Sequence, residues 1–133
     1  MKVRRIGKAS AADLKAALGP SFHLQTFDVH LGQEYVVLGM FWSVGSPFGV
    51  GAYVQFETDL SRLSWAPLSF FEITDNRISR HWQVMTYEEG AVAFGPPAFW
   101  RDYFVEDLYE DVPHVVAEFR AIVGILQNEF PDA

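Results

Sequence analysis

The sequence predicts an α+β fold: one antiparallel sheet, a short N-terminal helix and a packed C-terminal helix. Three observations lead there. "DVPHVVAEFRAIVGILQNEF" carries apolar side chains at helical spacing, and the middle of the chain alternates strand-like runs with Gly, Pro and Asn/Asp turns. Near the start, a Ser and a Gly-Pro bracket a brief helical pattern. At 133 residues, 50% hydrophobic and 16% aromatic, the chain has the length of a single domain, 1–133, and enough apolar side chains to fill one core.

Taken in order, "SAADLKAALGP" reads as the first helix. Ser10 caps it, Gly19 and Pro20 stop it, and Leu14 and Leu18 give it one apolar edge. "FHLQTFDVHLG" reads as a strand. "EYVVLGMFWSV" (34–44) is apolar at both alternations, the pattern of a central strand covered on both sides. After the turn "GSPFG", "VGAYVQFE" places Val50, Ala52, Val54 and Phe56 on one face and Gly51, Tyr53, Gln55 and Glu57 on the other. That alternation marks a half-buried strand, hairpin-paired with the run before it.

"TDLSRLSWAPL" reads as a polar connection, and "SFFEITD" as a short strand or helical turn ended by "DN". "HWQVMTY" and "AVAF" flank "EEG", where Gly90 supplies the positive φ of a tight turn. "GPP" breaks the sheet, and "AFWRDYFVEDLYED" holds one or two helical turns. The final helix presents Val115, Val116, Phe119, Ile122, Val123, Leu126 and Phe130 on one face, with Pro113 in its first turn. Beside that face, Ala117, Ala121 and Gly124 form a strip narrow enough to admit another element.

Charge narrows the function. The net charge is −7, distributed as +4 over residues 1–20, −5 over 21–100 and −6 over 101–133. An acidic body repels phosphate backbones and attracts basic proteins, so a protein partner is expected and nucleic acid is not. The chain has no cysteine, which removes disulfides, thiol catalysis and thiolate metal sites. "MKVRRIGKAS" lacks an apolar export segment, and "YVVLGMFWSVG" is about half a membrane span. A cytoplasmic protein without a membrane partner is expected.

No constellation for catalysis stands out. His23, His30, His81 and His114 have no metal-ligand spacing, and His23 and His30, seven apart, fall on opposite faces of one strand. "GSPFGVG" is followed by a strand and has no nearby Lys, so it reads as a hairpin turn rather than a phosphate loop; Ser46 lacks a nucleophile elbow. Nothing in the spacing of Glu34, Glu57 and Glu72 makes two of them an acid/base pair. Glu72, apolar-flanked in "FFEIT", reads as a partly buried structural carboxylate. Asp75, Asn76, Arg77 and Arg80 read as turn chemistry between two apolar segments. No enzyme activity, metal or cofactor is expected.

Trp42, Trp65, Trp82 and Trp100 join twelve Phe and five Tyr. Most belong in a core. Those beside the acids of "WRDYFVEDLYEDV" form a candidate protein-binding patch: Trp100, Asp102, Tyr103, Glu106, Asp107, Tyr109, Glu110 and Asp111. A solvated acidic rim that keeps the protein soluble is the bland alternative.

"WAPLSFFEITDNRISRHW" resembles the P-x-x-L/F-F-E-I-V-D-x-R/K-I-P-S-x-W stretch of a group of small bacterial proteins. "FGPPAFW" looks like their I-G-P-x-x-W segment, and "FWRDYFVEDLYEDVPHVVAEF" is similar to the acidic, aromatic stretch and closing helix that follow. Pro67, Phe71, Glu72, Ile73, Asp75, Arg77, Ile78, Trp82, Gly95 and Pro96 match, over about residues 35–125. The match departs at Ser79, where the group often has Pro, and in the N-terminal arm. These proteins resemble immunity proteins of polymorphic-toxin systems. The resemblance implies stoichiometric neutralisation of a cognate toxin, an acidic aromatic surface covering a basic active site or groove. Two other readings stay open: a small-molecule-binding domain or enzyme with a pocket between sheet and C-terminal helix, and a chaperone-like adaptor for a secreted partner.

Overall fold

The computed structural model describes residues 1–6, 32–44, 51–58, 61–87 and 90–131. The N-terminal helix, the strand expected around His23 and His30, the "GSPFG" turn and Ser46 lie outside them. The described strands are β1 (Lys2–Arg5), β2 (Glu34–Val36), β3 (Gly39–Ser43), β4 (Gly51–Glu57), β5 (Leu63–Pro67), β6 (Phe71–Asp75), β7 (Gln83–Thr86) and β8 (Val92–Gly95). The helices are α1 (Phe104–Tyr109) and α2 (Pro113–Asn128), with 3₁₀ turns at Leu68–Phe70 and Pro97–Trp100. The fold is α+β, with two antiparallel sheets and a C-terminal helix.

One sheet has three strands in the order β2-β1-β6, and the other five in the order β5-β4-β3-β8-β7. Val3, Tyr35, Val54, Phe56, Phe70 and Phe71 pack together between the sheets. Leu38, Leu63, Phe99, Phe104, Leu108, Phe119 and Val123 pack together beneath the helices. β4 gives Val54 and Phe56 to the first cluster, and its other face is covered as well. Its expected half-burial is therefore corrected: Tyr53, Val54, Gln55 and Phe56 are all buried. Val54 and Phe56 meet the small sheet, while Tyr53 stacks on Phe41 at 5.0 Å and Phe41 meets Trp100 edge-on.

The single central strand expected over 34–44 is two strands in two sheets. The chain crosses between them at Val37 and Leu38, where Val37 N–H donates to the Met1 carbonyl and Leu38 N–H to the Gln55 carbonyl. Val37 fills the first cluster and Leu38 the second. The run is apolar because successive residues serve different cores. The "polar connection" is also corrected, since β5 pairs with β4 from Leu63↔Glu57 to Pro67↔Tyr53. Leu63 enters one cluster and Ala66 the other, while Pro67 ends an edge strand, where a missing N–H is tolerated.

The β3–β4 and β7–β8 hairpins follow expectation, and Gly90 has φ +81°. α2 buries Val115, Phe119, Val123 and Leu126. Its small-residue strip receives no neighbour among the described residues: Ala117 and Ala121 are exposed, and a Cβ on Gly124 would meet none of them within 4 Å. The helix docks through its large side chains and turns that flank outward. The basic N-terminus has a structural use, because Arg4 on β1 lies between Glu34 on β2 (3.7 Å) and Glu72 on β6 (3.6 Å).

Candidate protein-binding surface

β8 stops at Gly95, and Pro96 and Pro97 turn the chain into the 3₁₀ turn that carries Trp100. Phe99 anchors this turn, 5.4 Å from Phe104 and 5.8 Å from Phe119 between ring centroids. Trp100 is half-buried and turned inward over Gly95, where an added Cβ would lie 3.2 Å from the indole nitrogen. It supports the surface from below.

Arg101, the one base in "RDYFVEDLYED", is committed to α2. Its guanidinium donates to both Glu118 oxygens, at 3.1 and 2.6 Å. These hydrogen bonds hold the Glu118 carboxyl below its ordinary range and raise the Arg101 guanidinium. Glu118, on the polar side of α2, is thus paired. A carboxyl depressed in the fold contributes stability above its unfolded pKa and loses it as pH falls through the folded one. Glu118→Gln is expected to melt slightly below wild type at pH 7 in low salt, with the difference vanishing once pH falls below the carboxylate range. A difference unchanged across that range in paired thermal melts would remove the ion pair as its cause.

Beyond Arg101 the chain rises into solvent. Asp102 is exposed, and Tyr103, 73% exposed, has a left-handed backbone with φ +66°. A non-glycine residue there costs about 1 kcal/mol or more. The Tyr103 carbonyl accepts the Asp107 N–H at 2.9 Å and opens α1. Phe104 and Leu108 hold this helix to the core, while Glu106 and Asp107 lie in its first turn, where the helix dipole favours anions. Glu106 and Glu110 are exposed and Asp107 is half-buried.

The far end is tied down. Tyr109 donates its hydroxyl to the Leu63 carbonyl at 2.8 Å, and the Arg62 guanidinium lies 5.2 Å from its ring centre. Asp111, with φ +58°, closes α1: its N–H bonds the Leu108 carbonyl, and the Val112 N–H bonds that of Asp107. The Asp111 carboxylate reaches Arg62 at 3.7 Å. Of the eight residues expected to form a patch, Asp102, Tyr103, Glu106 and Glu110 make an exposed rim on and just before α1. Trp100, Tyr109 and Asp111 brace it.

The other candidates resolve into contacts. Asp75 accepts the Arg77 backbone N–H at 3.0 Å and its guanidinium at 2.7 Å. The side-chain bonds, followed by the backbone one, hold the carboxyl far below the ordinary range. Arg77 lies over Phe130 at 4.4 Å, and Arg80 N–H donates to Glu129 at 3.0 Å. The cluster fastens loop 76–82 to the end of α2. Glu72 is exposed rather than partly buried, because β6 is an edge strand and its polar face turns outward. Glu34 accepts the Thr74 hydroxyl at 2.7 Å, and Glu57 lies 3.8 Å from Arg120. His81 and His114 are exposed. Among the described residues no His/Asp/Glu group is placed to hold a metal, and no helix is long and apolar enough to cross a membrane.

Sequence reasoning missed one surface. Trp42 on β3, Phe94 on β8 and Val84 on β7 share the face of the large sheet that carries Val54, yet are 48%, 40% and 62% exposed. The sequence signal was the uncharged "QVMT" of β7. Comparison with protein-family models, curated proteins and solved structures returned no match.

Proposed function

We propose that the protein is a protein-binding module that docks a basic partner on the acidic rim around Tyr103. In this reading it acts in the cytoplasm as an immunity protein, neutralising a cognate bacterial toxin by one-to-one binding. The reading rests above all on Tyr103, a large aromatic kept in a strained left-handed conformation and 73% exposed on the rim. The helix start uses its backbone, but core packing does not require an aromatic side chain there, and a non-glycine residue held in a strained conformation is a mark of function. Asp102, Glu106 and Glu110 surround it with negative charge, and Arg101, the nearby base, is neutralised by Glu118. Acidic side chains steer a basic partner, and a central aromatic supplies the anchor. The toxin assignment follows from the resemblance of "FFEITDNRISRHW" and "FGPPAFW".

Tyr103→Gly separates binding from folding. Glycine accepts φ +66° without strain, so the melting temperature is expected to hold or rise slightly. Capture of the partner encoded beside the gene is expected to fall at least tenfold, with the loss in dissociation rate. Glu106→Lys with Glu110→Lys is expected to slow association instead, more so at low salt. Undiminished binding by both variants, read by surface plasmon resonance at two ionic strengths, sinks the proposal.

A second reading has one observation behind it. A cavity of about 340 Å³ lies between β2, the end of β4 and Gln127 of α2, lined by Glu34, Glu57, Thr58 and Ser61. Its polar walls suit a small cationic or hydroxylated molecule. A thermal-shift screen of amines and sugars, repeated on Glu57→Gln, tests it.

A further inference from the structure

We infer that β7 is the pairing edge of a two-fold homodimer, in which two large sheets join into one of ten strands. β7 ends its sheet, with β8 on one side and, among the described residues, no strand on the other. The described edges are otherwise guarded in the usual ways. β2 carries Glu34, β6 carries Glu72 and Asp75, and β5 ends in Pro67. β7 reads Gln83-Val84-Met85-Thr86, without charge or proline. An uncharged edge beside an exposed apolar face is a template for another strand.

The hydrogen-bond phase defines the partner. Tyr87 N–H donates to the Ala91 carbonyl at 2.9 Å, and the register pairs Met85 with Ala93 and Gln83 with Gly95. In an antiparallel ladder, bonded and non-bonded pairs alternate. Val84 and Thr86 therefore turn their N–H and C=O groups away from β8, toward the open edge. An antiparallel copy of the same strand satisfies them when Val84 faces the second copy's Thr86 and the two-fold axis passes between the Met85 residues. Each N–H then meets a C=O, giving four inter-strand hydrogen bonds in a self-complementary register.

The side chains agree with that register. Val84 and Thr86 lie on the same face as Trp42 and Phe94, in the rows Met40–Phe94–Val84 and Trp42–Val92–Thr86. Setting Val84 against the second copy's Thr86 runs the first row of one copy into the second row of the other. The exposed Trp42, Phe94 and Val84 of both copies become one apolar strip.

Sedimentation equilibrium of the full chain from about ten micromolar to about one millimolar tests the dimer. The weight-average mass is expected to rise from 15.1 kDa toward twice that value. Thr86→Pro removes an outward N–H and leaves the β7–β8 bonds intact, and Val84→Lys sets charge on the edge; both are expected to remain monomeric with unchanged melting temperatures. Amide exchange gives the register, since Val84 and Thr86 should gain protection with concentration while Met85 is protected throughout. A wild-type mass of one chain at all concentrations overturns the inference. So does a dimer that survives both substitutions, or one that leaves the Val84 and Thr86 amides unprotected.

Discussion

Phe119→Ala is expected to lower the unfolding free energy by about 3–5 kcal/mol, because truncating a buried aromatic loses its transfer energy and leaves a cavity. Phe119 is fully buried. It packs beneath Phe99 within the cluster that joins α1, α2 and the large sheet. The side chains around the gap come from different elements, so none can close it without shifting another. The matched control is Ala121→Lys, two residues along on the exposed flank, expected to stay within about 0.5 kcal/mol of wild type. Urea unfolding with unchanged slope reads both. Comparable losses from the two substitutions would mean that α2 is rotated about its axis.

Gly39→Ala is expected to cost about 1–3 kcal/mol through overpacking, with most of the loss removed by a second change. Gly39 faces Gly95 in the β3–β8 ladder, and a Cβ there would fall 2.4 Å from Gln55 Oε1 and 3.0 Å from the Phe94 carbonyl. Gln55 is buried, and its Oε1 accepts no hydrogen bond from the described residues. Its side chain cannot swing into solvent to make room. Gln55→Ala removes the clashing oxygen along with a buried acceptor that has no donor, so alone it should cost little for its size. The double variant should be at least about 1 kcal/mol more stable than the two single losses added together. Strict additivity in denaturant melts would show that the Phe94 carbonyl, and not Gln55, is what the new methyl group meets.

Parts of the architecture were legible because they depend on neighbours close in sequence. The face of α2 repeats every three to four residues, and the buried set Val115, Phe119, Val123 and Leu126 is a subset of the one that spacing marks. The β7–β8 hairpin is announced by Gly90, and the break after β8 by Pro96 and Pro97. Such signals fail where one segment serves two cores. The run 34–44 looks like one doubly covered strand, although Val37 and Leu38 divide it between two sheets. β4 alternates polar and apolar residues yet is covered on both faces, because the helical layer buries Tyr53 and Gln55 as well. β5 was hidden because it is short, ends in Pro67 and follows a polar stretch, although Leu63, Ala66 and Pro67 are buried.

The candidate surface divides in the same way. Its acids and aromatics can be counted in the sequence, but their partners come from distant segments: Tyr109 finds Leu63, Asp111 finds Arg62 and Arg101 finds Glu118. Those contacts leave Asp102, Tyr103, Glu106 and Glu110 free to meet a partner. They could not be read from spacing, since residues far apart in the chain touch as a result of how the layers pack. By itself the sequence determined the α+β class, the two hairpins, the phase of the last helix and the concentration of negative charge near the C-terminus. Each of these follows from local periodicity, turn chemistry or composition. The tertiary structure alone decided how the strands divide between sheets, which acids are neutralised and which apolar face stays open. Burial and pairing depend on what lies across each face, and the two sides of a face come from different parts of the chain.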